Sequence, residues 1–331
     1  MVEKNKIMSL KEAVAKFVFD GAHICLGGCS TNRNPMAAVY EIIRQKKRNL
    51  YIYMHTAGIA IDILIGAGCV RGYEQAYTGM GRFAPTGIRF QKAIEKGSIL
   101  CEDYTNYQMG LRFLAGAMGV PFLPTFSGLG TDILKKWGIS SMVRQKDPKS
   151  TNKKLTVLRN PFSKEKVGEK LILVPAINPD LAIIHAHQVD TEGTVRIKRF
   201  TFTDVEMAKA AKHLLVTCEE IVNPTYLRKA PDENQIPFFI TDAIVRIPYG
   251  AHPTACFGYY DYDVEFLEVY RKAALNDSTF KDFLEEYIFL ENHRAYLQKI
   301  GRKNLKKIQA HPEYGYAQGL KRKIHEGEIY K

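Results

Sequence analysis

The stretch Ala22-His-Ile-Cys-Leu26 followed by Gly27-Gly28-Cys29-Ser30-Thr31-Asn32-Arg33-Asn34-Pro35 decides the fold. Its first five residues read as a short buried strand. The glycine pair then lets the backbone turn sharply and allows another group to come close. Asn34-Pro35 opens a helix, because asparagine caps free amides and proline fits a first turn. The unit is strand, glycine loop, helix. It is neither a Walker loop, since no Gly-Lys-Ser/Thr follows, nor Gly-x-Gly-x-x-Gly. A helix start after paired glycines directs amide dipoles toward an anion or a developing oxyanion. On chemistry alone, a tight structural turn and a ligand-facing loop both remain open.

Upstream, Ser9-x-x-Glu12 is a capping box, and Leu10, Ala13, Val14, Phe17 and Val18 share one helical face. Downstream the same alternation repeats. Strands are expected at Tyr51 to His55, Gly72 to Tyr77 and Ile99 to Cys101, with helices at Ile59 to Leu64, Gly87 to Glu95 and Asn106 to Met118. Gly119, Pro121 and Pro124 then break the pattern. From 135 to 170 the chain is basic and interrupted by Pro148 and Pro161, which reads as an excursion or lid on the sheet. Strands resume at Leu171 to Pro175, Leu181 to His185, Thr194 to Ile197, Leu214 to Thr217 and Phe238 to Ile247, with Asp204 capping a helix through Lys212. From Phe266 onward the pattern is mostly helical. The order predicts an α/β fold with an open, mainly parallel sheet, flanking helices and ligands at the carboxyl ends of the strands. The expected division is an α/β domain over 1–270, including the basic insertion, and a helical C-terminal extension over 271–331 packed on it.

Composition narrows the class. With 331 residues, 46% hydrophobic and 25% charged, the chain is long enough for a large core and is not a disordered tail. No apolar run reaches the roughly 18 residues of a membrane crossing, and no secretory leader is visible at the start. A cytoplasmic protein with no membrane partner is expected. Six cysteines at irregular spacing, without a Cys-x-x-Cys pair, argue for reduced thiols rather than a disulfide framework or a zinc knuckle. The formal charge of +12 is spread over Gln45 to Arg48, Lys153 to Lys170, Arg196 to Arg199 and Lys299 to Lys323. Scattered patches without a zinc finger, basic zipper or aromatic RNA-binding signature describe a solvated surface that attracts anionic metabolites or meets a partner subunit, with no nucleic-acid partner expected.

From Asp20-Gly21 through Gly27-Gly28 to Pro35, the chain resembles the A subunits of the two-subunit class I CoA-transferases, and within them the glutaconate branch. Cys29 stands where the broad family usually has Phe, and Arg33 where it often has Gly; the glutaconate branch shares the Thr-Asn-Arg-Asn-Pro form. The resemblance continues in order through Glu102-Asp103-Tyr104, Gly119-Val-Pro-Phe-Leu-Pro124, Trp137-Gly-Ile-Ser140, Ala182-Ile-Ile-His185-Ala186 and Gly193-Thr-Val-Arg196-Ile197. Thr217-Cys218-Glu219-Glu220-Ile221, Pro248-Tyr-Gly-Ala-His252-Pro253 and Tyr259-Tyr-Asp261-Tyr-Asp263 extend it over nearly the whole chain.

The resemblance implies covalent catalysis, in which a glutamate attacks an acyl-CoA, CoA thiolate opens the mixed anhydride, and an enzyme glutamyl-CoA thioester passes CoA to a second acid. The family's nucleophile belongs to the B subunit, so no glutamate of this chain is assigned that role. A homologous B partner and a higher A/B oligomer are implied. So are an acyl-CoA donor such as acetyl-CoA and an acceptor such as glutaconate, 2-hydroxyglutarate or a related dicarboxylate. No tightly bound cofactor and no metal are expected, coenzyme A entering as part of the substrate. Paralogous pairs that hydrolyse or decarboxylate CoA thioesters, and a noncatalytic subunit for binding or assembly, are the alternatives.

On this reading Gly27, Gly28, Thr31 and Asn32 form one side of a pocket shared with the partner, their donors orienting the anhydride or holding a tetrahedral oxyanion. Arg33 either pairs with a substrate carboxylate or lies solvated at the helix start. Glu102 occupies the position of an acidic residue that takes part in acid/base chemistry in the same chain of ring-cleaving relatives. It is a base or substrate contact, or else a carboxylate tying down the turn from Tyr104 to Gln108. Gln108 lends polarity to the pocket or packs structurally. Ser127, in Ser127-Gly-Leu-Gly-Thr131, wraps a ligand or makes a turn. His55 and His185 read as core or loop hydrogen-bonding groups, His252 as a structural group of a family-like turn or one that reaches the pocket, and Cys29 shapes the loop or acts as a nucleophile. Phe257 to Tyr262 packs in the core, at an interface or on a ligand.

Overall fold

The computed structural model describes residues 5–164 and 169–318. Seven parallel strands form the main sheet: β1 (His23–Leu26), β2 (Leu50–Tyr53), β4 (Val70–Gln75), β6 (Leu100–Asp103), β10 (Leu181–Asp190), β12 (His213–Val222) and β13 (Ala243–Arg246). Their order is β13-β12-β10-β1-β2-β4-β6, and the short β11 (Val195–Arg196) turns back antiparallel on β10. The order reverses at β1, so the chain winds outward from the centre in both directions. The glycine loop therefore leaves the central strand at its carboxyl end, beside the crevice where open α/β sheets bind ligands. Next to it, β3 (Thr56–Ala57) and β5 (Tyr77–Thr78) make a two-stranded parallel patch.

One face of the sheet is apolar. Ile24, Leu26, Ile52, Tyr73, Leu181, Ile183 and Leu215 pack in one core with helices α1 (Leu10–Phe17), α2 (Met36–Arg44), α3 (Ile59–Gly66) and α4 (Ile88–Glu95). The Ser9–Glu12 capping box starts α1 as its sequence predicts. The C-terminal helices join the same core. Phe266, Leu267 and Tyr270 of α9 (Val264–Ala274), Phe280 and Phe283 of α10 (Asp277–Phe283), Ile288 of a π-turn and Tyr296 of α11 (His293–Ile300) lie over α2 and α3, and α12 (Arg302–Ile308) follows. Helix α9 runs across the boundary expected at 270, because its apolar stripe is continuous with the core. The tail assigned to the extension beyond 318 lies outside the described residues.

The opposite face carries α5 (Asn106–Met118) and α7 (Asp204–Ala210), packed against each other, and the basic excursion. The excursion contains α6 (Ser141–Gln145) and an antiparallel sheet of β7 (Phe122–Thr125), β9 (Lys170–Pro175) and β8 (Thr156–Arg159). The alternation of the sequence places β9 in the main sheet. It pairs antiparallel instead with β8, the strand just before it, and on its other edge with the distant β7. The strand expected at Phe238 to Ile247 starts only at Ala243, after a helical turn at Phe238–Ile240; a short helix, α8 (Pro224–Arg228), precedes it. No helix among the described residues is long and apolar enough to cross a membrane.

Candidate functional site

The glycine loop is tied at both ends to one carboxylate. Asp204 accepts the Gly28 N–H through Oδ1 at 2.8 Å and Arg33 Nη1 through Oδ2 at 2.6 Å. The Asp204 and Arg33 side chains are both buried. Arg33 also donates to the carbonyls of His185 at 2.8 Å and Phe200 at 3.0 Å. A Cβ on Gly27 would lie 2.9 Å from the Asp204 carboxyl, and one on Gly28, which has φ +83°, would lie 2.5 Å from the Asn32 carbonyl. Between these ends Cys29 and Asn32 exchange two backbone hydrogen bonds of 2.8 Å. That closes a two-residue turn with Ser30 at φ +49° as its first central residue. Ser30 donates its N–H to Thr56 O, Arg33 its N–H to Ala255 O, and Ala255 its N–H to Thr31 O.

What this leaves free is specific. The Gly27 N–H goes to Ile183 O and the Gly28 N–H to Asp204, so neither amide expected as an oxyanion donor is available. The Thr31 N–H and hydroxyl and the exposed Asn32 side chain have no partner among the described residues. In a two-residue turn the second central amide points out of the turn, which frees the Thr31 N–H. Arg33 is neither solvated nor directed at a substrate, because its guanidinium is spent on Asp204 and on loop carbonyls.

Beside the loop a cleft of about 520 Å³ lies between the starts of α5 and α7. His55, Asn106, Tyr107, Leu114, Phe202 and Glu206 are among the residues lining it. It adjoins the loop on both walls: His55 precedes Thr56, which accepts from Ser30, and Thr203 precedes Asp204, which accepts from Gly28. Burial pushes the half-buried His55 imidazole below its ordinary pKa. Burial pushes the Cys29 thiol up, which disfavours the thiolate a nucleophile needs. That favours a shaping role for Cys29.

Glu102 lies elsewhere, in a polar layer on the α5 face of the sheet. Parallel register sets Tyr53, Glu74 and Glu102 side by side on β2, β4 and β6. Two adjacent carboxylates under a covering layer need cations, and α5 and the excursion supply them. Arg112 donates to Glu74 at 2.6 Å, and Arg144 Nη2 to Glu102 at 2.8 Å, while Lys154 stands 2.9 Å from Glu102. Glu102 also accepts the N–H groups of Gly138 at 3.1 Å and Ile139 at 3.2 Å. Burial alone would raise the Glu74 carboxyl, but Arg112 and Arg144 overcome it and hold the group below its ordinary range. Glu102 is fully buried, accepts from two backbone amides and Arg144, and is paired with Lys154. It anchors the excursion, not the Tyr104 to Gln108 turn.

Gln108 is structural in its geometry. It completes a capping box with Thr105 and donates to Ser127 O at 2.8 Å. The Ser127 hydroxyl bonds the Thr105 hydroxyl at 2.7 Å, so this segment seats the start of α5. His185 is buried between Thr217 and Glu219, and His252 between Tyr296 and Asp263. Tyr260 is buried and donates to Glu219 at 2.6 Å, whereas Phe257, Tyr259 and Tyr262 are half-buried.

The residue that sequence reasoning missed is Asp204. It reads as a helix cap, but Thr203 holds that position and the Asp204 carboxylate turns to the glycine loop. A separation of 171 residues from Arg33 hides the pair. Asn34 likewise makes no cap; Pro35 occupies that place and the Asn34 amide donates to Asn32 O.

Residues 7–246 match the family described as Coenzyme A transferase. The chain is 42% identical to the A subunit of glutaconate CoA-transferase from Acidaminococcus fermentans, over 94% of this chain and 97% of that one. The crystal structure of that enzyme superposes with a TM-score of 0.91, covering 94% of this chain and 98% of the other. The A subunit of 3-oxoadipate CoA-transferase from Pseudomonas knackmussii is 32% identical over 86% of this chain and 93% of its own length. The decarboxylase AibA/AibB is more distant, at 29% identity and a TM-score of 0.67 over 85% of this chain and 100% of that chain. The chain therefore belongs to the coenzyme A transferase family and is the A subunit of a CoA-transferase, close to its counterpart in the glutaconate enzyme.

Proposed function

We propose that this A subunit completes an active site with a B partner and moves CoA from an acyl-CoA donor to glutaconate, 2-hydroxyglutarate or a related dicarboxylate. The partner supplies the attacking glutamate. Its carboxylate adds to the thioester carbonyl, and collapse of the tetrahedral intermediate expels CoA thiolate and leaves a mixed anhydride. The thiolate attacks the glutamyl carbonyl of that anhydride, releasing the first acid and forming the glutamyl-CoA thioester. The acceptor carboxylate then reverses the two steps.

The observation that carries this reading is the loop tip. Its neighbours are consumed by internal bonds, yet the Thr31 N–H, the Thr31 hydroxyl and the Asn32 amide stay unpartnered among the described residues, on a loop bonded to Thr56 and Asp204, whose chain neighbours His55 and Thr203 line the cleft. Preorganised donors of this kind stabilise the negative charge that develops on a carbonyl oxygen, each worth about 3 kcal/mol in acyl transfer. The higher identity to glutaconate CoA-transferase than to AibA/AibB favours transfer over decarboxylation. Incubation of the A/B complex with acyl-CoA is expected to build a hydroxylamine-sensitive glutamyl-CoA thioester on the B chain. Acyl-CoA turnover without that adduct and without exchange onto a dicarboxylate would refute the reading.

A further inference from the structure

Five non-glycine residues at the carboxyl end of the sheet have left-handed backbone: Ser30, Arg33, Arg199, Phe202 and Tyr249, with φ between +49° and +67°. Aromatic and long side chains adopt this region only when their surroundings hold them there. Four of the five gather around one group. Arg33 reaches Asp204 and also grips Phe200 O, between Arg199 and Phe202, while Ser30 sits in the turn that follows the Gly28 amide received by Asp204. The guanidinium of Arg33 additionally lies over the Phe202 ring at 5.8 Å.

We propose that Asp204 is a positioning residue for CoA transfer: its carboxylate, bonded to the Gly28 amide and the Arg33 guanidinium, sets the height of the Thr31–Asn32 tip above the cleft. The two bonds enter the loop at its start and its end, so the carboxylate closes the loop into a ring. The Cys29–Asn32 backbone pair stiffens that ring. Gly27 is required by the same arrangement, since a side chain there would displace the carboxylate. Arg33 thus acts on the reaction through Asp204 and through the Phe200–Phe202 turn that it grips, one wall of the cleft. The proposal rests on the transferase reading above. A displacement of about 1 Å in a catalytic donor costs on the order of 100-fold in rate.

The test uses the intact A/B complex, with the parent protein assayed beside each variant. Asp204→Asn keeps the volume but offers only one acceptor and sets an amide against Arg33. The expected result is a fall in kcat of about 100-fold with KM for acyl-CoA unchanged within about threefold. Asp204→Asn combined with Arg33→Met removes both charges. It is expected to recover the assembly and melting temperature of the parent complex while kcat stays low. Equal recovery of kcat and stability in the double variant, or parent-like kcat in Asp204→Asn, would overturn the proposal. So would a rise in KM alone. If Asp204→Asn fails to assemble, Arg33→Lys gives the decision: a lowered kcat at constant KM supports the proposal and unchanged kcat refutes it. A parent complex that exchanges no CoA would instead refute the transferase reading on which the proposal stands.

Discussion

Replacing Glu102 by glutamine separates an anchoring carboxylate from a catalytic one. The carboxylate takes two backbone amides, Arg144 and Lys154, all in a buried layer. An amide in its place retains one acceptor and turns an NH2 group toward donors. Arg144 keeps Glu74 at 3.5 Å and the Ile139 carbonyl at 3.3 Å, whereas Lys154 keeps Asp103 at 3.7 Å, the Lys136 carbonyl at 3.3 Å and the face of the Tyr104 ring. Breaking a buried pair by removing one partner costs about 3–5 kcal/mol. The remaining partners put Glu102→Gln at the lower end, about 3 kcal/mol. Unfolding entropy near 2.1 cal/mol/K per residue gives about 0.7 kcal/mol/K for this chain, so the expected fall in melting temperature is about 4 °C. The assay is thermal unfolding of the purified protein, together with turnover of the A/B complex at a temperature well below the transition. Turnover per folded complex is expected to stay within about threefold of the parent, since the loss falls on the excursion and not on the loop tip. A loss of 100-fold or more in kcat with an unchanged melt would show Glu102 to be catalytic and would refute the anchoring argument.

Three further outcomes follow from the geometry. Asn32→Ala is expected to lower kcat about 10-fold or more without changing the melt, because the exposed side chain makes no internal bond among the described residues; an unaltered kcat would remove Asn32 from the site. Gly28→Val places a branched side chain at φ +83° against the Asn32 and Arg33 backbone. It should abolish detectable exchange while circular dichroism still reports the α/β fold, and full exchange would contradict the tight loop. Burial holds the His293 imidazole down to about 4, with Nε2 bonded to Pro248 O at 2.9 Å. The unfolded chain takes up this proton near pH 6.5 and the folded chain does not, so stability falls as pH drops from about 6.5 toward 4, by up to about 3 kcal/mol. His293→Gln should flatten that part of a melting-temperature profile; an equal slope in the variant would place the proton uptake elsewhere.

Much of the scaffold is determined by local sequence. Asn106–Met118 is helical over the span its apolar spacing predicts, and the Ser9–Glu12 and Gly27-Gly28 signals act where they stand, because capping, periodicity and glycine turns depend on neighbours a few residues apart. The family was legible for the same reason, since its motifs are short and contiguous. The chemistry of the loop was not. Gly28 and Arg33 look like donors for a ligand until Asp204 arrives from the far connection after β11 to take both. Glu102 looks like a base until Arg144 and Lys154 fold over it from the excursion. Whether a polar group is free or spent depends on partners that are distant in the chain and adjacent in space, and desolvation makes those pairings decisive. Only the folded arrangement decides that Gly28 and Arg33 are spent while the Thr31 N–H and the Asn32 side chain keep no partner among the described residues.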